Sequence, residues 1–190
     1  MPIRFTPQMQ KRLTQRAHFM LRTALRYFPE LRGRTITVGY TRAHLGSAVI
    51  PRTPASPAEL TIRLKVRNLS YNTIGHELTH LVQGISRLKR LSEEASNIVH
   101  IPEGEKQCDI WTMARSELFC DAAPTYLELP PVIRENWPCY APAVRALCIA
   151  AIEKRSTHRL YIVWLENQIH QLAQRHPEQS RIAAQLQLPF

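Results

Sequence analysis

Between Leu60 and Ile85 the spacing of apolar residues changes once, and that change limits the folds open to the chain. Leu60, Ile62, Leu64 and Val66 alternate with Thr61, Arg63 and Lys65, the two-residue period of a strand with one buried and one wet face. From Ser70 onward the period is helical: Ile74, Leu78, Leu81, Val82 and Ile85 share one broad face. Asn68 or Ser70 is placed to cap this helix, and Gly84 or the residues just after it to end it. A half-buried strand running straight into an amphipathic helix calls for an α+β fold, with the helix laid on a small mixed sheet.

The flanking sequence extends that frame. Thr6 and Pro7 read as an N-cap and first helical residue, and Met9, Leu13, Ala17, Met20, Leu21, Ala24, Leu25 and Phe28 carry a helix over residues 7–27. Ile36, Val38 and Tyr40 alternate as a strand, and residues 44–50 read as a second, irregular one. Pro51, Pro54 and Pro57 mark a loop. Downstream, a short helix is expected over residues 92–97 and a longer one from about Pro102 through Glu105, Cys108, Asp109 and Met113. The prolines at 124, 130, 131, 138 and 142 predict a constrained connection without regular structure. Helices over residues 141–154 and 157–174 follow, the second stopped by His176-Pro177, with a short one over residues 179–186. The expected organisation is one domain over residues 1–190, made of an N-terminal α+β part (1–86) and a mainly helical part (87–190).

Composition narrows the class. With 44% hydrophobic and 21% charged residues in 190, the chain can bury a real core and is not expected to be disordered. No stretch approaches the roughly 20 apolar residues that cross a bilayer. The N-terminal residues lack the apolar run of a signal peptide, so a cytoplasmic protein with reduced thiols is expected. Cys108, Cys120, Cys139 and Cys148 form no C-x-x-C pair. The net charge of +10 favours anionic partners, although the basic residues form no single run.

Chemistry enters at His76-Glu77-Leu78-Thr79-His80, an H-E-x-x-H motif. On a helix, two histidines four residues apart lie one above the other on the same face. Their nitrogens can grip one Zn²⁺ at about 2.0–2.1 Å. Glu77 is then placed to take a proton from a water that the metal has acidified. A catalytic zinc needs a third protein ligand, and Glu93, Glu94, His100, Glu103, Glu105, Asp109, Glu117 and Asp121 all lie downstream. Glu105 and Asp109 are the most telling pair, because four residues apart on a helix they share a face. One can bind metal while the other accepts the N–H of a liganding imidazole.

These residues resemble a family. Residues 74–82 (Ile-Gly-His-Glu-Leu-Thr-His-Leu-Val) resemble the active-site helix of thermolysin-like zinc peptidases and the wider gluzincin clan. Residues 104–111, with Glu105 and Asp109 in an E-x-x-x-D pattern, are similar to the clan's second helix. The resemblance implies a minimal zincin-like core with His76, His80 and Glu105 as zinc ligands, Glu77 as general base and Asp109 orienting one histidine. The product would be a zinc metallopeptidase acting on peptide or protein. Residues 81–90 contain no third histidine, which separates the chain from metzincin-like and DNA-repair-associated zincins. In the clan an edge strand pairs with extended substrate, and the strand over residues 60–66 is the candidate here. His158, Tyr126, Tyr140 and Arg159 are candidates to stabilise the oxyanion. The competing expectation is a catalytically silent zinc-binding regulatory module, or one whose basic surface holds nucleic acid or an acidic partner.

Overall fold

The structure is a computed structural model that describes residues 2–49, 59–91 and 100–175. The expected loop prolines 51, 54 and 57, the short helices over residues 92–97 and 179–186, the stop at 176–177, and Glu93 and Glu94 lie outside the described residues.

The fold is α+β, with seven α-helices and a four-stranded mixed sheet among the described residues. Strands β1 (Ile3–Phe5), β2 (Thr35–Tyr40), β3 (Gly46–Val49) and β4 (Glu59–Leu64) lie in the order β1-β2-β4-β3. The pairs β1–β2 and β2–β4 are parallel, and β3 returns antiparallel on β4. Strand β1 leaves no periodic trace, because three residues are too short to display one. The pairing also corrects the expected substrate strand. β4 is interior, since residues 46–49 fold back and cover its outer side, so among the described residues the edge strand on this side of the sheet is β3.

Thr6 accepts the Met9 amide at 3.3 Å and Pro7 follows it, as the N-terminal reading requires. The single helix over residues 7–27 is instead two, α1 (Pro7–Gln10) and α2 (Gln15–Leu25). Thr14 starts the second by accepting the Ala17 amide at 3.1 Å, a cap that the continuous apolar stripe concealed. Ala17, Met20, Leu21, Ala24 and Leu25 of α2 are buried.

The central helix α3 (Tyr71–Leu91) runs on to Leu91 instead of ending at Gly84 or just after it. Its Ile74, Leu78, Leu81, Val82 and Ile85 are at most 2% exposed, and each such side chain is worth about 1.5–3 kcal/mol of burial. Its start is fixed from afar. Asp121 accepts the amides of Tyr71 (2.7 Å) and Asn72 (2.9 Å), while Ser70 Oγ accepts that of Thr73 (3.0 Å).

Helix α4 (Glu105–Arg115) begins at Gly104, whose φ of 116° only glycine adopts without strain. It packs unusually close to α3. A Cβ on Gly75 would stand 2.6 Å from Thr112 Cγ2 and from Phe119 Cδ1, so glycine beside His76 lets the two helices approach. Thr79 donates to the Gly75 carbonyl and meets the Thr112 hydroxyl at 2.8 Å in the same contact.

Helices α5 (Pro131–Glu135), α6 (Trp137–Lys154) and α7 (Tyr161–Arg175) complete the chain. The proline-rich stretch is thus partly helical. Pro131 and Pro138 occupy first-turn positions, where no N–H is missed, and Pro142 forfeits one ladder bond early in α6. Two cores result. One joins α2, the sheet and α3, and includes Ile101 and Phe119; the other joins α4 to α7 through Ile110, Met113, Ile133, Val144 and Leu165. Arg115 binds the first part to the second with two bonds to Glu30, at 2.8 and 3.1 Å, and one to the Tyr27 carbonyl at 2.8 Å. Among the described residues, no helix is long and apolar enough to cross a membrane.

Candidate metal centre

Helix α3 places His76 one turn below His80, with the rings edge to face and their centroids 4.9 Å apart. Helix α4 crosses them and brings in two carboxylates. Glu105 Oε2 lies 2.9 Å from His76 Nε2 and 3.0 Å from His80 Nε2. Asp109, fully buried, takes the other side of His76 with Oδ1 2.8 Å from Nδ1. Its second oxygen accepts the amides of Tyr126 (2.6 Å) and Leu127 (2.9 Å). Asp109 therefore locks the His76 ring and ties the chain after residue 124 to the site.

His80 is fixed by a residue that the sequence reading passed over. Gln83 Oε1 lies 3.0 Å from His80 Nδ1, while Gln83 Nε2 donates to the Pro102 carbonyl at 2.5 Å. The carbonyl can only accept, so the amide orientation is set and Oε1 must receive the His80 Nδ1 proton. The i, i+3 spacing from His80 to Gln83 was the available signal. Gln83→Leu is expected to weaken zinc affinity about tenfold or more with little change in fold, read by competition with a chelating dye. Unchanged affinity would show that His80 needs no such support.

The tautomers decide what the centre can hold. Both Nδ1 atoms donate, to Asp109 and to Gln83, so in the neutral rings both Nε2 atoms present lone pairs. Each of those lone pairs lies within 3.0 Å of the same Glu105 oxygen, an arrangement that repels itself unless a cation or a proton lies between. Tetrahedral zinc with ligands at about 2.0–2.1 Å separates them by about 3.3 Å, so these side chains fit the ion with small outward shifts. His76, His80 and Cys108 also cluster closely enough for a metal. Cys108 Sγ, however, approaches His80 at Nδ1, 3.2 Å away, behind the ring and not at the Nε2 pole. Burial first, then the charges of Glu105, Asp109 and Glu77, push its thiol far up in the metal-free protein.

Charges in the centre follow from burial and contact. Burial alone would lower His76, but the hydrogen bond and charge of Asp109, with Glu77 and Glu105, outweigh it and raise its pKa. Burial would raise Glu105, yet its contacts with His76 and His80 hold it below the ordinary carboxylate value. Glu77, 6% exposed, is pushed up to about 7 by burial and by Glu105, against the pull of His76. It lies against β3: a Cβ on Gly46 would stand 2.5 Å from Glu77 Oε1. A cleft of about 340 Å³ opens here, bordered by Leu45, Gly46, Asn72, His76, Glu77 and Tyr126.

The remaining candidates separate cleanly. Tyr126 stacks on His76 at 5.4 Å and is 46% exposed in the cleft. Tyr140 is buried in the second core, and His158 and Arg159 are exposed in the turn between α6 and α7, away from the cleft lining. Asp121 caps α3. Glu103 lies 3.9 Å from Arg87, Glu117 begins a 3₁₀ turn, and the His100 carbonyl accepts from Arg155; none of the three joins the histidine pole. Compared with protein-family models, with curated proteins and with solved structures, the chain matches none.

Proposed function

We propose that the chain is a zinc metallopeptidase of the gluzincin kind, built on a minimal zincin-like core. The observation that carries this is the convergence of two histidine lone pairs and the Glu105 carboxylate on one point beside a buried Glu77. Zinc held there supplies Lewis-acid polarisation of a peptide carbonyl and an acidified water. Glu77 accepts that water's proton and delivers it to the departing amine. Asp109 and Gln83 keep both imidazoles in the tautomer that offers Nε2. Tyr126, whose pKa is raised by burial and by Glu105, Glu77 and Asp109, keeps its proton and is the candidate donor to the oxyanion. His158 is not used.

Extended peptide or protein would lie along the free edge of β3 and pair with it through backbone hydrogen bonds. The four cysteines are unpaired, in keeping with a reducing, cytoplasmic setting.

The test is metal content by elemental analysis together with cleavage of a mixed peptide library. One zinc per chain is expected in the wild type, with loss in His76→Ala and Glu105→Ala. Cleavage should stop with a chelator and return with zinc. Zinc retained in both variants would refute the centre. Zinc bound without any cleavage, of the library or of folded proteins, would leave the silent zinc-binding module.

A further inference from the structure

The basic residues, dispersed along the chain, are gathered by the fold. Residues 1–58 contain ten Lys and Arg side chains and a single carboxylate, Glu30, whereas residues 59–190 contain fifteen and fourteen. Nine of those ten cations, with Glu30, lie in the described residues 2–49, so most of the +10 belongs to the layer made by α1, α2 and strands β1 to β3. Its one carboxylate is already taken, because Arg115 binds both Glu30 oxygens.

Within that layer Arg22, Arg26 and Arg32 line one concavity of about 310 Å³, with Ile3 and Leu25 at its base. All three arginines are exposed, and none pairs with a carboxylate among the described residues. Phe19, Arg22 and Arg26 fall at i, i+3 and i+7 on the outer face of α2, and Phe19 is 65% exposed. The concavity adjoins β1, while the metal centre adjoins β3, and these are opposite edges of the sheet.

We propose that this face binds single-stranded nucleic acid, independently of the metal centre. Three planar guanidiniums around one hollow suit the oxygens of a phosphodiester backbone. Phe19, on the same helix face, offers a ring on which an unpaired base stacks. A membrane surface suits the face less well. The apolar side of α2 is buried in the core, so no amphipathic stripe is left to enter lipid.

The test is anisotropy of a dye-labelled oligothymidylate of about 15 nucleotides with the full chain, between about 50 and 200 mM salt. Affinity should fall steeply with salt. Replacing Arg22, Arg26 and Arg32 together by Gln should weaken binding about tenfold or more and flatten the log–log salt slope by about 2. Replacing the exposed Arg63, Arg67 and Arg159 by Gln removes the same charge elsewhere and should cost about twofold or less. Phe19→Ala should weaken binding about fivefold with the slope unchanged. The proposal is overturned by equal losses in the two triple variants, by polyglutamate displacing the oligonucleotide at equal charge, or by wild-type protein that binds phosphatidylserine vesicles but no oligonucleotide.

Discussion

Zinc-loaded Glu77→Gln protein will keep one metal per chain and cleave peptide at least about a hundredfold more slowly than wild type. The side chain touches neither Nε2 of the histidine pair, so metal retention should be untouched, whereas its carboxylate borders the cleft beside them, where the proposed mechanism needs a base. Burial holds that carboxyl at about 7, close to the pH at which a base both accepts and returns a proton efficiently. Gly46→Ala should reach the same group by a different route. The added Cβ would stand 2.5 Å from Oε1 and 2.7 Å from Cγ of Glu77, and the flexible carboxylate will yield before the strand backbone does. The expected result is a fall in kcat of about tenfold or more with metal content kept and the melting temperature little changed. Wild-type turnover in Glu77→Gln would remove the mechanism. A Gly46→Ala protein that melts early yet turns over normally per folded molecule would show that β3 does not position the base.

What the chain discloses of itself depends on how local each determinant is. The apolar face of α3 and the stacking of His76 on His80 follow from helical periodicity alone, and so does the shared face of Glu105 and Asp109. Joining the two pairs is not local. It depends on Gly75, which lets Thr112 and Phe119 approach, and on Gly104, whose positive φ turns the chain into α4; neither leaves a periodic trace. Gln83 was missed because its meaning appears only when Pro102 stands beside it. Asp121 looked like a possible ligand, and its two bonds to the start of α3 span about fifty residues. Prolines 131 and 138 misled in the opposite sense: proline reads as a breaker in the sequence, yet these two serve the first turns of α5 and α6, and α6 absorbs Pro142 at the loss of one ladder bond. The basic face was hidden for the same reason as the site, since arginines spaced along α2 and beyond it meet only after folding.

Zinc should stabilise this protein more as pH rises from about 5 to 8, because the cation would displace the proton of His76 directly and disfavour that of the neighbouring Glu77 through its charge. His76 has a folded pKa above its ordinary 6.5. Its proton therefore adds stability to the metal-free fold below that value, and the contribution is lost as pH rises through the raised pKa. Glu77 moves from 4.5 to about 7, so the metal-free fold holds a proton that the unfolded chain has already released, and that advantage also fades as pH approaches 7. Glu105 acts in the opposite sense, but in a lower window. Its pKa is depressed, so its contribution is present above about 4.5 and is lost only on further acidification. The metal-free protein should thus lose stability between about pH 5 and 8, and the gap between zinc-bound and metal-free forms should widen by up to about 1.4 kcal/mol per pH unit for each proton displaced. The measurement is the difference in melting temperature with and without saturating zinc across that range. Glu77→Gln should reduce the pH dependence while leaving the His76 part. A difference that stays flat with pH would mean that metal binds somewhere other than between these two histidines and Glu105.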